Sequence, residues 1–420
     1  MAAGSRREPD GRVRLRPRSR VRAQALSALD QFRRLREPPR LRTLGEDETR
    51  HSTWLELFFD LVFVVAVAQL GRQLGFDVTA GGFFRFLAFF VPVWWAWMGF
   101  TFYANRFDTD DLPYRLLIFV AMLGVAALAT TLPPAFGGST SGFVLAYVFV
   151  RVVLLALYAR AIRHVQEGRA IATFYFAAFS AAVLVWLASL LFPAPSRYFV
   201  WVLALAIEIP SPIVGWRLIP SRPVDPRHAP ERLGLLTIIV LGESVSAVVL
   251  GVGDVSWGAE AVFAALGGFL CAAAFWWIYF EFVNPEYAFA ALRLRGRILR
   301  GLVLVYSNYP MIAGLAALGV GVKLAILAAG GESAYHDSGW VLCAGLALSM
   351  AALAAVELVM PPYWLAIDFW LRLATAVLAL VLIPFSSALS PIVIVWILAA
   401  ALVVQVVVEL LGHEEHVEAI

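Results

Sequence analysis

The chain has 420 residues, 61% of them apolar, 13% aromatic and only 15% charged. A soluble domain is about 45–50% apolar and about 25% charged, so the two or three soluble domains that length alone would suggest are excluded. The apolar excess lies in continuous stretches of about 20 residues, each able to cross a hydrocarbon core of about 30 Å. A β-barrel would show period-two alternation instead.

The net charge of +3 hides an asymmetry: residues 1–50 hold 14 Arg against 7 acids, which leaves −4 for the remainder. Lysine occurs once, at Lys323. Cys271 and Cys343 both lie in apolar stretches and read as buried small residues, so neither a disulfide framework nor a thiolate metal site is expected. The long basic start, with no short apolar core and cleavage site behind it, does not read as a cleavable leader.

In chain order, residues 1–50 form an Arg- and Pro-rich tail that cannot bury a core. Within it Val21, Ala25, Leu29, Phe32 and Leu35 share a helical face, with Arg22, Arg33, Arg34 and Arg36 elsewhere. That pattern fits a basic helix lying on anionic lipid; a disordered tail whose arginines only set orientation fits equally well.

Apolar segments follow at 54–70, 83–103, 114–132, 142–162, 171–191 and 197–216. Beyond a Pro-rich linker at 220–231 come 232–252, 258–282, 301–321, 339–359, 364–383 and 389–411. The expected fold is therefore all-α: a polytopic membrane helix bundle of about 12 transmembrane helices. Its units are a first half over 51–219, a second half over 232–411 and an acidic tail over 412–420.

Short cytoplasmic loops collect Arg and Lys. With the tail inside, the inner loops would contain Arg106 and Arg115; Arg160, Arg163 and Arg169; Arg217, Arg222, Arg227 and Arg232; and Arg293, Arg295, Arg297 and Arg300. The outer loops would hold little more than Arg72, Arg197 and Lys323. Both termini are expected in the cytoplasm of a bacterium, with the helices in its inner membrane.

The halves also look alike. Acids open the first and seventh segments, and paired tryptophans (Trp94-Trp95 and Trp276-Trp277) occupy the second and eighth. Six helices per half imply a 6+6 parallel repeat about an axis normal to the membrane.

Ionisable groups inside lipid cost about 2.5–3.5 kcal/mol each on insertion scales and call for a partner or a wet cavity. Glu56 and Asp60 lie four apart on one face of the first helix. They read either as a proton relay or as acids paired with Arg from other helices. In the seventh helix, Gly242-Glu243-Ser244 sits near mid-bilayer, and Glu243 is the most isolated acid of the chain. Asn308 interrupts the ninth helix within Tyr306-Ser307-Asn308-Tyr309-Pro310. Glu56, Asp60, Glu243, Ser244 and Asn308 are thus the candidate pathway residues.

Asp368 and Arg372 have the spacing of an internal ion pair. Arg151, Glu208, Glu281, Glu357, Gln405 and Glu409 are further polar groups at membrane depth. Glu208 precedes Ile209-Pro210-Ser211-Pro212, where prolines should break the sixth helix.

His413-Glu414-Glu415-His416 lacks zinc-protease spacing, no phosphate loop occurs, and Gly242-Glu243-Ser244-Val245 is no nucleophile elbow. No cofactor, metal or nucleic acid is expected as a ligand. The partners in view are the bilayer, anionic lipid at the tail, and an unidentified small solute or ion. Oligomeric state is not encoded in any pattern here.

Trp54-Leu55-Glu56-Leu57-Phe58-Phe59-Asp60-Leu61-Val62-Phe63-Val64 resembles the opening of the bacterial low temperature requirement protein A family. Tyr103-Ala104-Asn105-Arg106-Phe107-Asp108-Thr109-Asp110-Asp111 resembles the motif after its second helix, and the run from Glu231-Arg232-Leu233-Gly234 to Leu241-Gly242-Glu243-Ser244 its seventh-helix motif. The resemblance spans about residues 50–390. It implies a membrane location and assigns no reaction. One departure is Asn308, where the family is expected to carry His, which weakens a proton-relay role at that place. Leu55-Glu56-Leu57-Phe58-Phe59-Asp60 is also similar, in one Phe and one Asp, to the first helix of potassium channels carrying an R-x-x-x-F-S-D motif.

Two activities fit these expectations. The first is permeation of an ion or small solute, with proton coupling through the buried acids. The alternative is a non-transporting sensor or scaffold whose Arg-rich tail binds lipid or a partner. An enzyme ranks third, because no nucleophile and base stand at a convincing spacing.

Overall fold

The computed structural model describes residues 38–41, 53–108, 110–219, 228–253, 258–282, 298–359 and 367–418. Arg22, Arg33, Arg34 and Arg36 lie outside them, as do Arg222, Arg227, Arg293, Arg295 and Arg297. The first half comprises α1 (Trp54–Phe76), α2 (Ala80–Arg106), α3 (Leu112–Phe136), α4 (Ser141–His164), α5 (Arg169–Ala188), α6 (Ser196–Glu208) and α7 (Ser211–Leu218). The second comprises α8 (His228–Gly253), α9 (Ala259–Trp277), α10 (Ile298–Tyr306), α11 (Asn308–Ala329), α12 (Gly339–Val359), α13 (Ile367–Leu382) and α14 (Pro391–Glu418). Among the described residues these make 12 spans long and apolar enough to cross a membrane.

Side chains at the helix starts explain several boundaries. Thr53 and Glu56 form a reciprocal capping box on α1, the Thr79 hydroxyl accepts from the Gly82 amide, and the Asp111 carboxylate accepts from the Tyr114 amide. Each satisfies an amide that would otherwise lack an intrahelical partner.

Two spans are broken, where the sequence places prolines and polar groups. The sixth is α6 and α7, which end and restart around Ile209-Pro210. Proline lacks an amide proton and its ring clashes with the preceding turn, and the Ser211 hydroxyl donates to the freed Glu208 carbonyl at 2.7 Å. The ninth is α10 and α11, interrupted at Ser307.

Span nine (Gly301–Ala329) is the most enclosed, and α2 and span ten (Ser333–Val359) are nearly as central. Exposed apolar side chains such as Leu61, Leu123, Leu184, Val202, Val249 and Val404 cover the outside. In water such a surface would be unusable; in lipid it costs nothing, while the helices satisfy their own backbone groups.

Without a hydrophobic drive between helices, close packing needs small residues. A Cβ on Gly321 would stand 2.6 Å from the Leu342 Cα, and one on Gly345 would stand 2.6 Å from the Leu318 amide nitrogen. Glycine is what lets α11 and α12 meet backbone to backbone.

In each half the first span packs on the second and third, the third on the fourth, and the fourth on the fifth. The halves meet where α1 and α2 contact α8 and α11. The paired tryptophans differ in setting: Trp94 and Trp95 are buried, whereas Trp276 and Trp277 are 37% and 41% exposed. A short antiparallel pairing joins β1 (Arg40–Leu41) to β2 (Phe107–Asp108), tying residues near the tail to the end of α2.

Candidate functional site

The seam between the halves carries two polar centres at different depths. The first lies toward the end of the bundle where α1 begins. Asp60 is fully buried, and its Oδ1 accepts from the Trp97 indole of α2 at 2.7 Å. Arg232 of α8 donates to the same carboxylate through Nη2 at 2.5 Å and Nε at 3.2 Å. Its Nη1 lies 3.8 Å from Glu56, and its guanidinium stands over the Trp97 ring, 5.6 Å from the centroid. Both oxygens of Asp60 are satisfied, so three helices are latched together through one carboxylate. A bidentate guanidinium is the geometry that best repays the desolvation of both ions.

Arg232 was expected in an inner loop; it is instead a buried residue of α8. The neighbouring acids Glu56 and Asp60 were the signal that a cation had to come from elsewhere, but only the fold brings residue 232 to residue 60.

The second centre is a cavity of about 490 Å³ toward the opposite end, between α1, α8 and α11. Val67, Gly71 and Arg72 line it from α1, Glu243 and Ser244 from α8, and Lys323 from α11. Glycines open the space for these helices to converge: a Cβ on Gly319 would meet the Ser244 Cα at 2.9 Å, and one on Gly71 would meet a Val320 methyl at 3.1 Å. Glu243 is half-buried and Arg72 exposed; the charge of Arg72 acts on the Glu243 carboxylate without a salt-bridge contact between them. The Ser244 hydroxyl donates back to the Val240 carbonyl at 3.1 Å and approaches the Leu315 carbonyl at 3.4 Å.

Arg72 and Lys323, expected in outer loops, belong to helices that run several residues further than the apolar segments suggested. Their place on a cavity wall keeps these charges from facing lipid directly, where they would be costly.

Asp60 and Glu243 do not share the cavity. By helical rise Val67 stands about 10 Å beyond Asp60 along α1, and the buried side chains Phe63, Ala66, Leu236 and Val240 belong to the stretches of α1 and α8 in between. Asn308 is also away from the cavity: its Nδ2 donates to the Leu304 carbonyl at 2.9 Å across the break in span nine. Its neighbours stitch that break to other spans, Tyr309 to the Leu87 carbonyl at 2.8 Å and Tyr306 to the Ile209 carbonyl.

Two further groups of buried charges are paired between helices, although Glu208 Oε1, Arg151 Nη1 and Arg372 Nε lack a hydrogen-bond partner among the described residues. Glu208 accepts from Arg151 and from the Tyr147 hydroxyl, each at 2.7 Å, and the Arg151 guanidinium stacks on Phe179 at 4.5 Å. The pairing expected between Asp368 and Arg372 is replaced: Arg372 donates to Glu357 and lies 3.7 Å from Glu409. Spacing along one helix favoured Asp368, but Arg372 is fully buried whereas Asp368 is partly exposed, so the acids of α12 and α14 reach Arg372 instead. Gln405 links the group onward, accepting from Thr375 and donating to Glu409. Among the described residues no cluster of His, Cys, Asp and Glu could hold a metal ion.

Twelve apolar spans among the described residues, ion pairs buried between helices and an apolar outer surface define a multi-pass helical membrane protein. The family model for the bacterial low temperature requirement A protein matches residues 51–407. The chain belongs to that family. An uncharacterized protein of Rhizobium meliloti (strain 1021) is 30% identical over 296 residues, which cover 67% of this chain and 71% of that one.

Proposed function

We propose that the protein is a permeation protein of a bacterial inner membrane, passing an ion or small solute along the seam between its halves, with Glu243 as the group that takes up a proton. The observation that carries this reading is Glu243 itself. A carboxylate on the wall of a cavity, with no hydrogen bond or salt bridge among the described residues and only the longer-range pull of Arg72, is retained at a cost that packing does not explain. The Asp60–Arg232–Trp97 latch then closes the seam on the other side, as an alternating-access cycle requires of one of its states.

Orientation with both termini in the cytoplasm is supported by the exposed Arg163, Arg169 and Arg217 at the end where α1 begins. A parallel 6+6 repeat is supported by the common neighbour order of the two halves and opposed by the unlike settings of the two tryptophan pairs.

Flux of protons and of a panel of small solutes into proteoliposomes tests the proposal. Wild type is expected to exceed empty vesicles, and Glu243→Gln to lose at least about tenfold of that flux, the equivalent of about 1.4 kcal/mol in a rate-limiting step. Unchanged flux in the variant would remove Glu243 from the pathway. A sensor or scaffold draws support from the other buried charges, Asp60, Glu208 and Arg372, each of which is paired with an opposite charge on another helix. On that reading wild type shows no flux at all, and deletion of residues 1–45 abolishes the biological phenotype while the helical core stays intact.

A further inference from the structure

The early part of the chain is fastened to the bundle ahead of the first span. Arg40 pairs with Asp108, and Leu41 with Phe107, in an antiparallel ladder. Pro39 is buried, and the Leu41 side chain packs against the hydrophobic core. Gly168, in the turn between α4 and α5, makes the seat: a Cβ there would stand 2.9 Å from the Phe107 ring and 3.1 Å from a Leu41 methyl. The Phe107 ring is itself held by Tyr103 of α2 and Tyr158 of α4, with centroids 5.1 Å and 6.3 Å away. The turn after α2 is fixed as well. Asp111 caps α3 and pairs with Arg160 of α4 at 2.5 Å, and Asp110 pairs with Arg115.

This dock stands at the end of the bundle where α1 begins, beside the exposed Arg163 and Arg169. Residues 1–37, which lead into it, hold 11 Arg against 4 acids. An extended chain covers at most about 3.3–3.6 Å per residue. Arg36, Arg34 and Arg33 therefore stay within about 14–25 Å of Arg40 in any conformation. Headgroups begin where membrane spans end, and clustered arginines next to a span are drawn to an anionic leaflet over about a Debye length. Docking at residues 38–41 takes residues 42–53 out of the tether, so the tail leaves the bundle at headgroup level next to two further arginines.

We propose that residues 38–41 are a strap that fastens the Arg-rich tail to the α2–α3 and α4–α5 turns, and that the tail so held binds anionic lipid headgroups. Spin labels on the full chain in lipid nanodiscs test both parts. The native Cys271 and Cys343 are buried, which leaves the label to an introduced cysteine. A label at Pro38→Cys, beside the strap, is expected to be immobile in phosphatidylcholine and mobile once Leu41→Asp breaks the seat. A label at Ser27→Cys is expected to be mobile in phosphatidylcholine and to slow at least about tenfold when about one-third of the lipid is phosphatidylglycerol. Salt at about 1 M should screen that slowing away. Replacing Arg33, Arg34 and Arg36 together with Gln should reduce it at least about twofold.

A mobile label at position 38 with Leu41 in place overturns the strap. Equal motion at position 27 in the two lipids, whether fast or slow, overturns the lipid contact. Neither measurement involves flux, so the strap stands or falls apart from the permeation reading.

Discussion

At Asp60 the physical question is what one buried carboxylate requires. Its two oxygens take three donors from α2 and α8, and removing one partner of such a pair leaves an uncompensated charge. Arg232→Ala is therefore expected to lower stability by about 3–5 kcal/mol, read as a large drop in the unfolding temperature of the detergent-solubilised protein. The double variant Asp60→Leu with Arg232→Met should recover most of that loss, because the apolar replacement removes both desolvation penalties. A smaller effect belongs to Tyr147→Phe, which deletes one bond to Glu208 and leaves Arg151 in place. About 0.5–1.5 kcal/mol is expected, rising if the Glu208 oxygen finds no other donor. Of the residues singled out from sequence, Asp60 and Glu243 were legible as charges needing an explanation. Which explanation applied to each was not legible: an Arg for one and a cavity for the other.

At the scale of elements, glycine decides how closely helices approach. The Gly345 backbone of α12 faces Leu318 and Gly314 of α11, with a Cβ position 2.7 Å from the Gly314 carbonyl oxygen. Backbone atoms cannot swing aside as a side chain end can, so Gly345→Val should separate the two helices. A loss of about 1–3 kcal/mol is expected from overpacking, measurable as a lower unfolding temperature. Gly412→Val in α14, where a Cβ meets nothing within 4 Å, should leave the unfolding temperature close to that of wild type. Helix positions were readable from apolar run length, and the break in span six from Pro210. Helix ends were less so: α1 and α11 continue past their apolar runs through Arg72 and Lys323, both of which line the cavity.

For the whole molecule, the alternation of basic loops gives a directional prediction. Ser139 and Gln166 are exposed residues in turns at opposite ends of the bundle, while the native Cys271 and Cys343 are buried and should stay silent. In intact cells a membrane-impermeant maleimide is expected to label Ser139→Cys and to label Gln166→Cys only after permeabilisation. The opposite pattern would invert the proposed orientation.

Composition and run length by themselves determined a helical membrane protein of twelve spans, since the cost of exposing backbone polar groups to lipid leaves few alternatives to long apolar helices. Three motifs were also enough to indicate the family. Only the tertiary structure decided which charges neutralise one another, because the ion pairs form between different helices: residue 60 with 232, 151 with 208, 357 with 372. A carboxylate inside lipid advertises a need through its sequence context. Whether that need is met by a guanidinium or by a cavity depends on the neighbours that packing brings, and those lie on other helices.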